Sequence, residues 1–418
     1  MSKILENITI LDLTRFFSGP QATLLLSGMG ASVIKIDDPK TGDPSAFSPP
    51  YAGPNGISFH KQTETDMGLA YLKRARGKKS INLDLKSPQG YDIFFQLVRH
   101  ADVVIDNFSA GVASRLKVDY PHLCKTNPSI IYCSLTGYGS TGPDKNLKAY
   151  DLMVQAAVGL MSVTGADNSL PTKTGSPISD AISGAYAAMG ILGALFHKQR
   201  TGQGQEIDVS MADCLFSMIF DEPFDCYDQL GIPQRQGNRI MRFSPFNVYK
   251  TTDGWIAIGA ATDSDWIELL KVINKDILLN DSNMMNVGWR IQNNAIIDEI
   301  ITNWTIQENT KSALEKLNTK NIPCAPVRTM QEAINSEQLQ SRKMVSSLIN
   351  PLTRTAINAS GPGFPIKFSK TPADYDAPSP IPGEHTEDIL ESLTSLTKEE
   401  LLELIKKGVV GNFNSLKR

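Results

Sequence analysis

The apolar run Ile8-Thr9-Ile10-Leu11-Asp12-Leu13 reads as a short buried strand. Ser18-Gly19-Pro20 then turns the chain into a helix, with Pro20 suited to its first turn. Gly28-Met29-Gly30 closes that helix, and Ser32 to Ile36 forms a second strand, so the opening unit is βαβ. Further strands are predicted at Ser80 to Leu83, Val103 to Ile105 and Ile130 to Ser134, with a helix at Gln89 to Arg99. This alternation predicts an α/β fold: a mostly parallel sheet with helices on both faces. Ala185 to Lys198 is a helix ended by Thr201-Gly202-Gln203-Gly204, and Glu206 to Val209 is a strand leading into another helix.

From about Asp225 the pattern changes. Phe246 to Tyr249 and Trp255 to Ile258 predict a β-hairpin with Asp253-Gly254 in its turn. Helical periodicity follows at Asp265 to Ile273, Asn293 to Trp304 and Asn309 to Leu317, then a proline-bounded strand at Ile322 to Val327. A smaller α+β domain is therefore expected over 225–330. It is set between a large domain over 1–224 and a returning segment, 331–418, that completes the large domain. Gly361 to Pro365 and Ala377 to Pro380 read as extended loops.

Composition narrows the partners more than the fold. The 418 residues are 41% hydrophobic and 20% charged with a net charge of −3, the profile of an ordinary soluble protein. Without a basic excess there is no electrostatic case for nucleic acid. Met1-Ser-Lys-Ile-Leu-Glu has no long apolar core, and the most apolar run, Gly184 to Phe196, is too short to span a bilayer. Five scattered cysteines without CxxC spacing argue against a disulfide framework and a zinc site. A cytoplasmic protein with no metal, membrane or nucleic-acid partner is the expectation.

Chemistry concentrates at Asp180, which follows Pro177-Ile178-Ser179 and precedes a helix rich in Gly184, Ala187, Ala188, Gly190 and Gly193. A carboxylate at a helix start is favoured in its charged form and, near its reference pKa of about 4, is a ready oxygen nucleophile. The plainer reading is an N-cap. A dinucleotide fingerprint fails, because the Gly28/Gly30 pair lies at the far end of the first helix rather than directly after the first strand. The loop Arg15 to Gly19 can still present backbone groups to another nucleotide. None of His60, His100, His122, His197 and His385 pairs with a serine or cysteine in a hydrolase motif.

The opening ITILDLTRFFSGPQATLLLSGMGASVIKID, the run INLDLKSPQG, the stretch DNFSAGVASRL, the segment around Asp180 and the tail PIPGEHTEDIL together resemble the family III CoA-transferases. The resemblance spans Ile8 to about Val410. It implies a Rossmann-like large domain, a small domain, and open-ring subunits interlocked as a homodimer. It also implies Asp180 as nucleophile, with Tyr150 and Asp151 orienting it, and coenzyme A or acyl-CoA as substrate rather than a tightly bound cofactor. The implied CoA contacts are Arg15, Phe16, Phe17, Ser18, Leu83, Lys86, Asn107, Phe108, Arg115, Leu116, Lys148 and Met211. The basic run Lys73, Arg74, Arg76, Lys78 and Lys79 either meets a phosphate or is a solvated loop.

Three departures bear on the substrate. Phe17 replaces a glutamine that assists formyl-CoA transferase, Asp38 stands where that enzyme has a CoA-binding arginine, and Asn238 to Tyr249 lacks its glycine-rich loop. Phe17 points to a more apolar acyl pocket. The expected reaction moves CoA from an acyl-CoA to a small carboxylic acid through a covalent intermediate on Asp180. A 2-methylacyl-CoA racemase would need a histidine where this chain has Val163, and a non-catalytic CoA-binding protein would need no nucleophile at position 180. His385, in Gly383-Glu384-His385-Thr386, is expected to cap a helix.

Overall fold

A parallel sheet buried on both faces requires strands that are apolar on both sides, and the first strands meet that demand. The computed structural model describes residues 3–411. Its main sheet contains β1 (Thr9–Asp12), β2 (Ser32–Asp37), β3 (Lys79–Leu83), β4 (Val103–Asp106), β5 (Ile131–Thr136), β6 (Glu206–Ser210) and β7 (Val410–Gly411). Their spatial order is β7-β3-β2-β1-β4-β5-β6. All neighbours run parallel except β7, which pairs antiparallel with β3 through Val410 opposite Leu83.

Ile10, Val33, Val103 and Ile105 point into one core, shared with helices α1 (Ser18–Gly28) and α3 (Ile178–Thr201) and with α4 (Met211–Ile219). Leu11, Ile34, Val104 and Tyr132 point into the other. The order 3-2-1-4-5-6 reverses direction between β1 and β4, so the crevice outside their carboxyl ends is where such a sheet takes a ligand.

Three strands that meet at that end finish in buried aspartates. Burial pushes the Asp12 carboxyl up, but Lys78 at 3.1 Å, Lys35 and the Thr14 and Thr23 hydroxyls outweigh it and hold it low. Asp37 is pushed up to about 6 by burial despite Lys35 Nζ at 3.1 Å, and neither of its oxygens makes an aligned hydrogen bond. Asp106 also rises to about 6 through burial, although the Tyr132 hydroxyl (2.5 Å) and the Phe108 N–H (3.0 Å) donate to it.

The chain divides into two compact units. One comprises 1–160, 174–222 and 337–418; the other comprises 161–173 and 223–336. The second unit therefore also takes in 161–173 and six residues beyond 330, which no change in local periodicity marks. Its three-stranded sheet joins Phe246–Lys250, Trp255–Gly259 and Cys324–Pro326 antiparallel. Trp266, Leu269, Ile297, Ile301 and Leu317 fill its core.

Several local expectations change. The helix predicted from Ala185 begins seven residues earlier and runs for 24 residues, so by length and composition it could span a bilayer, contrary to the apolar-run argument. Here its Gly184, Ala187, Ala188 and Ile191 are buried in the sheet's core. Gly361-Pro362 is not loop: Ala356–Pro362 is a strand paired with Val345–Ile349. His385 stands at an N-cap position without capping, and its Nδ1 instead accepts the Ser80 N–H at 3.2 Å.

Candidate active site

Helix α3 starts at Ile178 behind Pro177, which offers no side-chain acceptor to the exposed N–H groups of the first turn. Asp151, the first residue of helix α2 (Asp151–Ala157), supplies one. Its Oδ1 accepts the Ser179 N–H at 2.9 Å and the Ser179 hydroxyl at 2.6 Å. Its Oδ2 accepts Gln155 Nε2 at 2.7 Å, and Gln155 Oε1 in turn accepts the Thr174 N–H at 3.0 Å. This buried network fixes the first turn of α3 and both ends of the loop before it. Asp180 is thus the third helical residue and not the N-cap.

The α3 backbone comes unusually close to α1. A Cβ on Gly184 would lie 2.6 Å from the Ser18 carbonyl oxygen and 2.9 Å from Gln21 Cβ, so glycine is what lets the two helices meet. Close approach sets Asp180 beside Ser18, half-buried. Burial raises its pKa to about 6, the negative charge of Asp151 adds to the rise, and Arg74 and the Ser18 hydroxyl and N–H oppose it. The value near 4 expected from the helix start alone is therefore wrong, because desolvation outweighs the helix terminus. At neutral pH the carboxylate form still predominates.

Opposite α3, the loop after β1 is clamped across the crevice. Arg15 N–H donates to Asn107 Oδ1 at 2.9 Å, and Asn107 Nδ2 donates to the Arg15 carbonyl at 2.8 Å. Phe16 takes a left-handed backbone, φ 66°, which costs a non-glycine residue about 1–2 kcal/mol. Its exposed ring lies edge-on to Tyr150, 6.4 Å between centroids. Arg74 holds this loop from the other side: its guanidinium donates to the Phe16 carbonyl and lies over the Phe17 ring, 4.1 Å from the centroid.

The structure gathers Arg15, Phe16, Phe17, Ser18, Asn107, Tyr150, Asp151 and Asp180 around the carboxyl ends of β1 and β4. Phe108 follows Asn107 and borders a cavity of about 350 Å³ whose carboxylates, Asp106, Asp119, Glu206 and Asp208, suit phosphates poorly. Lys86 is exposed and 3.6 Å from Asp38, so the anion at position 38 engages a lysine expected at the ligand. Arg115 and Lys148 are exposed, and Leu116 is half-buried. Leu83 and Met211 differ from the expectation. Both are buried, in the cores on opposite faces of the sheet, so their side chains present no surface to a ligand.

In the basic run Lys73 and Lys79 are exposed, in keeping with the solvated reading, but two members depart from both readings. Lys78 is buried on Asp12, and Arg76 is buried with its guanidinium donating to the Lys73, Tyr375 and Pro362 carbonyls. Neither is a solvated charge or an open phosphate site. Gln155 is the site residue that sequence reasoning passed over, and Arg74 was singled out only as one member of the basic run, with no link to Asp180 or Phe17. The i,i+4 spacing of Asp151 and Gln155 was the available signal for the first; the charge run marked Arg74 but not its place beside Asp180.

The model of the CoA-transferase family III matches residues 5–386. A succinate–glutarate CoA-transferase of Agrobacterium fabrum is 32% identical over 402 residues, covering 94% of this chain and 96% of the relative. An acetyl-CoA:oxalate CoA-transferase of Acetobacter aceti is 33% identical over 383 residues, covering 90% and 91%. A crystal structure of a CAIB/BAIF family protein from Brucella suis superposes with a TM-score of 0.80 at 28% identity, covering 94% of this chain and all of that one. With the first turn of α3 carrying Asp180 beside the loop after β1 and the family model matching nearly its whole length, the chain belongs to the CoA-transferase family III.

Proposed function

We propose that this protein moves CoA from an acyl-CoA to a small carboxylic acid through covalent intermediates on Asp180. The observation that carries the proposal is Asp180 itself. It is a half-buried carboxylate beside Ser18, mostly ionised at neutral pH, held on the first turn of α3 by the Asp151 network. Its oxygen attacks the thioester carbonyl and expels the CoA thiolate, leaving a mixed anhydride. The thiolate attacks the aspartyl carbonyl, releasing the donor acid as carboxylate and leaving an aspartyl-CoA thioester. The acceptor carboxylate attacks that thioester, expels the thiolate again, and forms a second anhydride. Thiolate attack on the acceptor's carbonyl then yields the new acyl-CoA and restores Asp180. Partial burial limits loss of these activated acyl groups to water, and the Ser18 N–H is the candidate donor to the developing oxyanion.

CoA is a substrate here, and its arm is expected along the loop Arg15 to Ser18 and Asn107. The two relatives are named for transfers that involve succinate, glutarate or oxalate, which supports dicarboxylic acids as the substrate class. Proton exchange at an α-carbon finds no support, since no histidine is among the groups acting on Asp180 and Val163 has no proton to give. All five cysteines carry free thiols, in keeping with a cytoplasmic setting. An exposed apolar face formed by Met189 and Phe196 of α3 and Phe216, Met218 and Phe220 of α4 and its end supports assembly as a homodimer.

The test is chemical trapping. Incubation with a donor acyl-CoA and hydroxylamine inactivates the enzyme and leaves a hydroxamate on the peptide that contains Asp180. Asp180→Ala loses turnover by at least about 10⁴-fold. Turnover by Asp180→Ala within tenfold of the wild type would sink the covalent route.

A further inference from the structure

We propose that Arg74 is the specificity-determining residue of this site, taking the second carboxylate of a dicarboxylic substrate whose first carboxyl reacts at Asp180. The inference rests on the transferase reading and goes beyond it by assigning a recognition group.

Besides holding the loop after β1, Arg74 is placed to bind a ligand. It is partly buried, and that burial lowers its pKa against the attraction of Asp180 and Asp43. An arginine stays charged under such a shift. Yet among the described residues no carboxylate lies within 4 Å of it, whereas the buried cations Lys35 and Lys78 both have one. Among the described residues its hydrogen bond runs to the Phe16 carbonyl, a neutral acceptor. Its flat face rests on Phe17, which fixes the guanidinium plane and leaves the edge as the means of binding an anion. The cation therefore stands close enough to Asp180 to feel its charge, but without an ion pair to it.

Phe17 and Arg74 then divide the work of reading an acid. The ring supplies an apolar wall for the methylene chain, and the guanidinium supplies a bidentate partner for the distal carboxylate. A monocarboxylic acid of the same length would leave the partly desolvated guanidinium uncompensated, which is the arrangement that discriminates most strongly.

The test compares acceptors matched in length, succinate against butyrate and glutarate against pentanoate, with one acyl-CoA donor. Wild type is expected to favour the dicarboxylate by about 100-fold in kcat/KM. Arg74→Met lowers kcat/KM for dicarboxylates at least ten times further than for monocarboxylates, chiefly through KM, and Arg74→Lys restores part of the preference. Wild type without a dicarboxylate preference overturns the assignment even if Arg74→Met does not fold. Equal losses on both acid classes in Arg74→Met overturn it too, assigning the charge to the reacting centre instead. The hydroxamate on Asp180 separates the two proposals. Its presence with a flat acid preference rejects Arg74 alone, and its absence in wild type rejects both.

Discussion

At the scale of single residues, the site is governed by what surrounds one carboxyl group. Asp180 takes up its proton at about 6 in the folded protein, against about 3.9 in an unfolded chain. Between those values the native state holds more protons than the unfolded one. The stability associated with this group is therefore full below about pH 4 and lost as pH rises through 6. Activity runs the other way, because only the ionised form attacks, so kcat/KM should fall on an acid limb centred near pH 6. Asp151→Asn removes the neighbouring charge and should move that limb to lower pH. It should also loosen the first turn of α3, lowering kcat at pH 8 by roughly ten- to a hundredfold. A pH–rate profile of the variant with an unmoved limb would mean that the charge at 151 does not reach 180. The position of Asp180 at a helix start was legible in Pro177-Ile178-Ser179-Asp180. Its pKa was not, since it depends on burial in the fold and on Asp151, Arg74 and Ser18, which lie 29, 106 and 162 residues away.

At the scale of elements, the pairing of α1 with α3 turns a strand–helix repeat into a site. Gly184→Ala would gain about 1 kcal/mol in helix propensity but set a methyl group 2.6 Å from the Ser18 carbonyl. The backbone has no rotamer with which to give way, so the clash should win by about 1–2 kcal/mol. Both Tm and kcat should fall, because Asp180 moves with its helix. A rise in Tm on calorimetry would mean that the close approach does not require glycine. The parallel strands were legible because a strand covered on both faces must be apolar throughout, as Val103-Val104-Ile105 is. The hairpin Val345–Ile349 with Ala356–Pro362 was not, since Ser346, Ser347, Asn358 and Ser360 give it no apolar alternation and its glycines and prolines mimic a loop.

At the scale of the whole molecule, the face carrying Met189, Phe196 and Phe216 predicts association. The stacked Phe216 and Phe220 rings, 4.9 Å apart, are costly to leave in water. Sedimentation at low micromolar concentration should give twice the chain mass, and Phe196→Asp with Phe220→Asp should shift it toward the single chain. An undisturbed dimer in that variant would locate the interface elsewhere. The two-unit division shows where sequence reading runs short, because 161–173 joins 223–336 through contacts such as Gly237 N–H to the Gly165 carbonyl, which no local pattern encodes. The pairing of β7 with β3 has a consequence for how the protein is made. Leu83 and Asn82 leave the ribosome more than three hundred residues before Val410 and Gly411 arrive to cover them. Until then the nascent sheet carries an open edge at β3, a template for pairing with another chain. Its protection depends on a segment translated more than three hundred residues later.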